Sequence, residues 1–143
     1  MKGNQINKSN LVDQKVKLGK ITLKNPVIAA SGTLGYGDEI SNFLNPNEFG
    51  AICSKSITLT PRNGNPPPRI AETSSGLLNS IGLANIGVEA FIRDKEKFFK
   101  NFSSALFVNV AGSTEDEYCQ VVERLKDLTW VNGFEVNISC PNV

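Results

Sequence analysis

Ala105-Leu-Phe-Val-Asn-Val110, then Ser113-Thr114 opening the segment Glu115 to Leu128, then Gly133-Phe-Glu-Val-Asn-Ile138 running into Ser139-Cys140-Pro141-Asn142, read as strand, helix and strand. Tyr118, Val121, Val122, Leu125 and Leu128 recur at helical spacing. Thr114 and Glu117 have the spacing of a capping box, which places the start of the helix. The flanking runs are short and apolar, as buried strands are. A strand, a crossover helix and a second strand predict a parallel pair joined by a right-handed connection.

The chain upstream extends the pattern. Val88 to Phe102 is a second helix candidate, with Phe91, Phe98, Phe99 and Phe102 on its apolar face and Arg93 to Lys97 facing water. Ala51 to Leu59 reads as a strand. So does Pro26 to Ala30, which ends in Ser31-Gly32. Between them, Gly32 to Gly37 is glycine-rich, and Glu39 to Leu44 is expected as a short helix. Gly35 and Gly37 are expected to do no more than permit a turn. Val16 to Leu23 alternates around Gly19 and predicts a small hairpin. Met1 to Lys15 is polar and is expected as a flexible lead. Thr60 to Gly87 is expected to be irregular, because Pro61, Pro66, Pro67 and Pro68 exclude a helix or central strand there. Its Leu77, Leu78, Ile81 and Leu83 argue for a packed, functional loop. Arg62 and Arg69 are expected to brace it.

This alternation fits an open doubly wound sheet or a closed (β/α)₈ barrel. The dinucleotide fingerprint is absent, since Gly32-Thr-Leu-Gly35-Tyr-Gly37 carries its glycines in the reversed order. Each strand candidate ends in small or amide-bearing residues: Ser31-Gly32, Lys55-Ser56, Asn109, and Asn137 to Asn142. In a barrel such groups converge on one site at the strand C-termini. Parallel strands of any fold also end in polar turns, so spacing alone leaves both architectures open.

Composition narrows the chemistry. With 143 residues, 40% hydrophobic and 20% charged, the chain is the size of one soluble domain. The 15 basic and 14 acidic residues give a net charge of +1, so nucleic acid and anionic membranes are not expected partners. No apolar run approaches the roughly 18–20 residues that span a bilayer. Histidine is absent, which removes the usual zinc ligand and the usual general base. Cys53, Cys119 and Cys140 are too few and too widely spaced for a disulfide framework or a metal site. Cytoplasm is the expected compartment, and Cys53 and Cys119 read as packing residues. The sequon-like Asn7-Lys-Ser9, Asn101-Phe-Ser103 and Asn137-Ile-Ser139 carry no meaning there.

Six segments resemble the dihydroorotate dehydrogenase family. They are Asn25-Pro-Val-Ile-Ala-Ala-Ser-Gly32, Ser54-Lys-Ser56, Pro61-Arg-Asn-Gly-Asn-Pro-Pro-Pro-Arg69, Leu78-Asn-Ser-Ile-Gly-Leu83, Val108-Asn-Val-Ala-Gly-Ser113 and Asn137-Ile-Ser-Cys-Pro-Asn142. The resemblance runs from about Val16 to Val143. It implies a (β/α)₈ TIM barrel, of which this chain supplies about the first four units. It also implies FMN at the strand ends and oxidation of dihydroorotate to orotate in pyrimidine biosynthesis. Cys140, where the membrane-associated branch has serine, resembles class 1. Leu78 to Leu83 and Asn109 to Ser113 look most like class 1B, which implies a homodimer and a second subunit that carries FAD and an iron–sulfur cluster and reduces NAD.

By resemblance, Cys140 is the general base. Asn79, Asn137 and Asn142 bind the orotate ring, and Ser80, Ile81, Gly82 and Leu83 wrap it. Lys55 is shared by flavin and substrate. Ser31, Gly32, Ser56, Asn109 and Asn137 contact the flavin. A whole barrel needs about 250 residues. The family's phosphate-binding elements, a second flavin lysine and a further substrate asparagine are not within these 143. Two alternatives therefore accompany the reading: a catalytically silent half-barrel with a binding or assembly role, and a barrel of the dihydropyrimidine dehydrogenase type.

Overall fold

The structure is a computed structural model that describes residues 12–140. Most of the expected lead, residues 1–11, lies outside this range, and residues 12–15 are exposed without regular structure. In chain order the elements are β1 (Val16–Leu18), β2 (Ile21–Leu23), β3 (Ile28–Ala29), a 3₁₀ turn (Pro46–Glu48), β4 (Ala51–Cys53), β5 (Ile70–Thr73), β6 (Gly76–Asn79), α1 (Gly87–Phe99), β7 (Ala105–Val110), α2 (Glu115–Leu125) and β8 (Gly133–Val136). β3, β4, β7 and β8 form one parallel sheet in that order. β1 and β2 form the expected hairpin, turning at Gly19 with a φ of +58°.

Parallel pairing sends alternate side chains to opposite faces. Ala29, Ile52 and Leu106 align in register on the outer face, followed by Val108 and Val110. The helices cover this face with Val88, Phe91 and Phe99 of α1 and Val121 and Leu125 of α2, all buried. Phe91 meets Tyr36, Phe99 and Trp130 at centroid distances of 5.6, 5.9 and 5.7 Å, and the Phe99 and Trp130 rings stack at 5.3 Å. Burying one such ring is worth about 1.5–3 kcal/mol from desolvation alone, so this cluster locks the helices to the sheet. Cys53, Phe107, Asn109 and Glu135 take the inner face. Gly133 pairs with Phe107 because a Cβ there would lie 2.8 Å from the phenyl ring.

Thr114 caps α2 as expected, its Oγ1 accepting from Glu117 N, while the Glu117 carboxylate accepts from Ser113 N. Other expectations are corrected. No helix forms over 39–44. Turns occupy that stretch, and the short 3₁₀ segment follows, with Asn45 accepting from Asn47 N. The proline at 46 holds Asn45 extended and breaks any helix there. The strands expected over 26–30, 51–59 and 133–138 are shorter than expected, although an Ile57–Val110 bridge continues the β4–β7 pairing. α1 ends at Phe99 rather than Phe102.

The segment 60–87 is not wholly irregular. It contains the β5–β6 hairpin, whose register runs from Ile70 opposite Asn79 to Thr73 opposite Gly76. All four prolines precede the hairpin, so none interrupts its ladder. Leu77 and Leu78 are exposed on it rather than packed. Lys95 does not face water either. Its Nζ lies 2.7 Å from Asp38 Oδ2 and over the Tyr36 ring, tying α1 to the glycine-rich turn.

β3 and β8 are the outer strands of the sheet, and Val27, Ile28, Val136 and Ile138 beside them are exposed. Unpaired edges flanked by apolar side chains recruit other chains. A polypeptide of these 143 residues alone is expected to self-associate. Light scattering coupled to gel filtration should give a mass above 15.5 kDa, and a stable monomer would count against the half-barrel reading.

Candidate active site

The C-terminal ends of the four parallel strands open onto one cavity of about 600 Å³. Its walls include Ser31 and Gly32 after β3, Lys55 and Ser56 after β4, and Asn109 on β7. Glu135 to Asn137, Ser139 and Cys140 come from β8 and its extension. Asn79, Ile81, Leu83 and Ala84 of the long connection close another side. The four strand-end clusters therefore converge.

Backbone pairing beyond the formal strand ends fixes these groups. Ile57 N donates to Asn109 O at 2.8 Å, and Asn137 N donates to Val110 O at 2.9 Å. Ser31 Oγ donates to Ser54 O at 2.8 Å, and Asn109 N donates to Ser54 Oγ at 3.2 Å. Asn137 Nδ2 donates to Ser56 Oγ at 3.2 Å, while Tyr118 Oη donates to the Asn137 carbonyl. Ser139 N donates to Asn137 Oδ1 at 3.3 Å, which bends the chain toward Cys140. The Cys140 thiol is free and half-buried at the cavity.

The long connection is held at its base by buried Asn85. Its Oδ1 accepts from Gly87 N at 2.8 Å and Thr58 N at 3.2 Å, and its Nδ2 donates to Leu83 O at 2.7 Å. Leu83 has a φ of +53°, a conformation uncommon for a residue with a Cβ, and it lines the cavity. Ser80 and Gly82 do not line it. Ser80 Oγ accepts from Asn65 Nδ2 at 2.7 Å, and Gly82, with a φ of +73°, packs where a Cβ would stand 2.7 Å from Asn65 N. Arg69 braces the loop through the Asn63 and Asn65 carbonyls, and Arg62 does so through its own backbone pairing with Asn85. Asn142 lies outside the described residues.

Sequence reasoning passed over Glu135, Ala84, Val136 and Ser139. Glu135 was accessible by alternation, because it shares a strand face with Gly133 and Asn137. It accepts a hydrogen bond from Asn109 Nδ2. With Lys55, it supplies the charge among the lining residues. Asn109 Oδ1 is buried with no partner among the described residues. At Gly32, with a φ of +80°, the place of a Cβ meets no atom within 4 Å, so the backbone there borders open space. An unsatisfied acceptor and an open glycine face suit a flat polar ring. Among the described residues no cluster suits a metal ion, and no helix is long and apolar enough to cross a membrane.

Fold and site define a partial (β/α) barrel with a cavity at the strand C-termini, where barrel enzymes carry their chemistry. The family described as Dihydroorotate dehydrogenase matches residues 14–143, and the chain belongs to it. It is 49% identical over 131 residues to "Dihydroorotate dehydrogenase B (NAD(+)), catalytic subunit" of Geobacter sp. (strain M21), covering 92% of this chain and 43% of that protein. The protein of the same description from Thermodesulfovibrio yellowstonii is 49% identical over 128 residues, covering 90% and 42%. The chain thus spans under half the length of these curated relatives. In fold it matches the ligand-free DHODH of Eimeria tenella with a TM-score of 0.74 at 22% identity, over 92% of this chain and 40% of that one.

Cys53 is the buried thiol of the three. Burial, then a hydrogen bond with Glu135 and its negative charge, push the Cys53 thiol up to about 12. The folded state therefore holds this proton more tightly than the unfolded chain does. The associated stability is fully present below the unfolded thiol value of about 8.5 and is lost as pH rises toward about 12. Only the thiolate is nucleophilic. At about pH 8, iodoacetamide should modify exposed Cys119 well before Cys53. Peptide mass mapping checks the order, and equal rates would contradict the buried placement.

Proposed function

We propose that this cavity is part of the active site of an FMN-dependent dihydroorotate dehydrogenase that forms orotate for pyrimidine biosynthesis. The observation that carries the reading is that Cys140, Lys55, Asn79, Asn109 and Asn137 all line one cavity. Ser31, Gly32, Lys55, Ser56, Asn109 and Asn137 would hold the flavin. FMN, when bound, supplies a two-electron acceptor for hydride.

The chain's own residues do the rest. Oxidation of dihydroorotate removes a proton from one ring carbon and a hydride from its neighbour, leaving a carbon–carbon double bond. The Cys140 thiolate takes that proton and becomes a thiol. Asn79 and Asn137 offer amide donors and acceptors that match the lactam and imide edges of the ring. Lys55 places a cation where negative charge develops. Ile81 and Leu83 close an apolar wall that keeps water from the reacting carbons. Asn142 belongs to the same substrate set, and Ser80 and Gly82 support Ile81 and Leu83 from behind.

The relatives' designation as the catalytic subunit of an NAD(+) enzyme supports a class 1B assignment. On that reading the chain works in a homodimer, with a subunit that bears FAD and an iron–sulfur cluster and reduces NAD. Free cysteines support a cytoplasmic setting.

In the assembled barrel, Cys140→Ala should slow flavin reduction by dihydroorotate about 10²–10⁴-fold while orotate still binds. Stopped-flow absorbance of the flavin reads the rate, and near-wild-type reduction would refute the base assignment. Turnover with NAD should need the iron–sulfur partner. Rapid fumarate-linked turnover without that partner, measured by orotate absorbance, would move the chain to class 1A.

A further inference from the structure

Glu135 has no role in the function proposed above, yet it stands on the cavity wall, directly opposite Asn109 in the β7–β8 register. A carboxylate only accepts hydrogen bonds. Its contact with Asn109 therefore takes the amide nitrogen, Nδ2, as donor. That choice assigns the whole amide. With Nδ2 committed to Glu135, the oxygen Oδ1 becomes the free acceptor, and it is buried and unpartnered among the described residues. The backbone of Asn109 is independently fixed, its N–H by Ser54 Oγ and its carbonyl by Ile57 N. The remaining freedom of the residue is the orientation of its amide, and Glu135 removes it. Cys53, on the strand next to β7, is paired with Phe107 in the sheet register.

We infer that Glu135 is a positioning residue that locks the Asn109 amide with Nδ2 toward the carboxylate and Oδ1 turned away from it, so that the flavin contact proposed for Asn109 is made in one fixed amide orientation. The inference rests on the ring-binding reading of the cavity. Its structural half, the locked amide, stands apart from the identity of the ring.

The test uses the assembled barrel, with FMN as the probe ligand. Three variants separate acceptor, reach and charge. Glu135→Leu removes the acceptor at similar bulk, Glu135→Asp draws it back by one methylene, and Glu135→Gln keeps a carbonyl acceptor without the charge. The first readout is the ¹⁵N-detected side-chain amide of Asn109, assigned by its disappearance in Asn109→Asp. It should be rigid and shifted downfield in the wild type, mobile in E135L and E135D, and largely restored in E135Q. The second readout is FMN affinity by fluorescence quenching. It should fall about three- to ten-fold in E135L, the worth of one net hydrogen bond, and recover in E135Q. Should E135L fail to fold, E135D carries both comparisons. A mobile wild-type amide, or one unchanged in both E135L and E135D, overturns the inference. So does an E135L or E135D protein that binds FMN as the wild type does. A locked wild-type amide in a protein that ignores FMN supports the positioning role and overturns the flavin reading instead.

Discussion

The register of the parallel sheet is the constraint on which the rest depends. Alternation sends every second side chain to the helix face, and the helices accept only apolar groups there. Ala29, Ile52 and Leu106 line up under α1 and α2, and the Phe91–Phe99–Trp130 cluster fastens that layer. A slip of one residue in any strand would drive Cys53, Asn109 or Glu135 into an aromatic core. Burial on one face thereby aligns chemistry on the other. The alignment continues past the formal strand ends, because the Ile57–Val110 bridge and the Asn137-to-Val110 hydrogen bond carry the register into the segments that hold Lys55, Ser56 and Cys140.

Polar burial is the cost of that arrangement. Ser54, Ser56, Thr58, Asn85 and Asn109 are buried around the strand ends. An unpaired group of this kind costs about 1–3 kcal/mol. Most are paired: Ser54 bridges β3 and β7, Asn85 ties the long connection to Thr58 and α1, and Ser56 accepts from Asn137. Among these five, the exception is Asn109 Oδ1, buried without a partner among the described residues.

The parts legible in the sequence are those governed by short-range periodicity. β7 was bounded to the residue, and the Thr114 cap placed the start of α2. Strand-end chemistry allows the convergence of Ser31, Lys55, Asn109 and Asn137 without requiring it, and the resemblance, not spacing, selects a barrel over an open sheet. The failures have physical causes. Proline density hid the β5–β6 hairpin, although every proline lies before it. The 39–44 segment has helical composition, but the proline after Asn45 and the Lys95–Asp38 pair hold it as turns. Gly82 looked like a point of ligand approach, yet its bareness serves Asn65. Glu135 is not legible from composition, because a lone charge within a short strand does not by itself show which face it takes; only alternation, which sets it on the face of Gly133 and Asn137, does.

β8 joins two problems that are usually separate. The strand and its extension bring Glu135, Asn137 and Cys140 to the cavity, while Val136, which also borders the cavity, and Ile138 beyond it are exposed. The described sheet pairs this strand on one side only, with β7. An edge strand frays more readily than a central one, and fraying of a few tenths of an ångström matters for a proton transfer that needs contact at about 2.6–3.2 Å. Whatever covers the free side of β8 therefore does more than bury two aliphatic side chains. It steadies the segment that aims Cys140. For this chain, completing the sheet and positioning Cys140, the base on the proposed reading, are one physical event, which is why burial at the β8 edge and that proposed chemistry should rise and fall together.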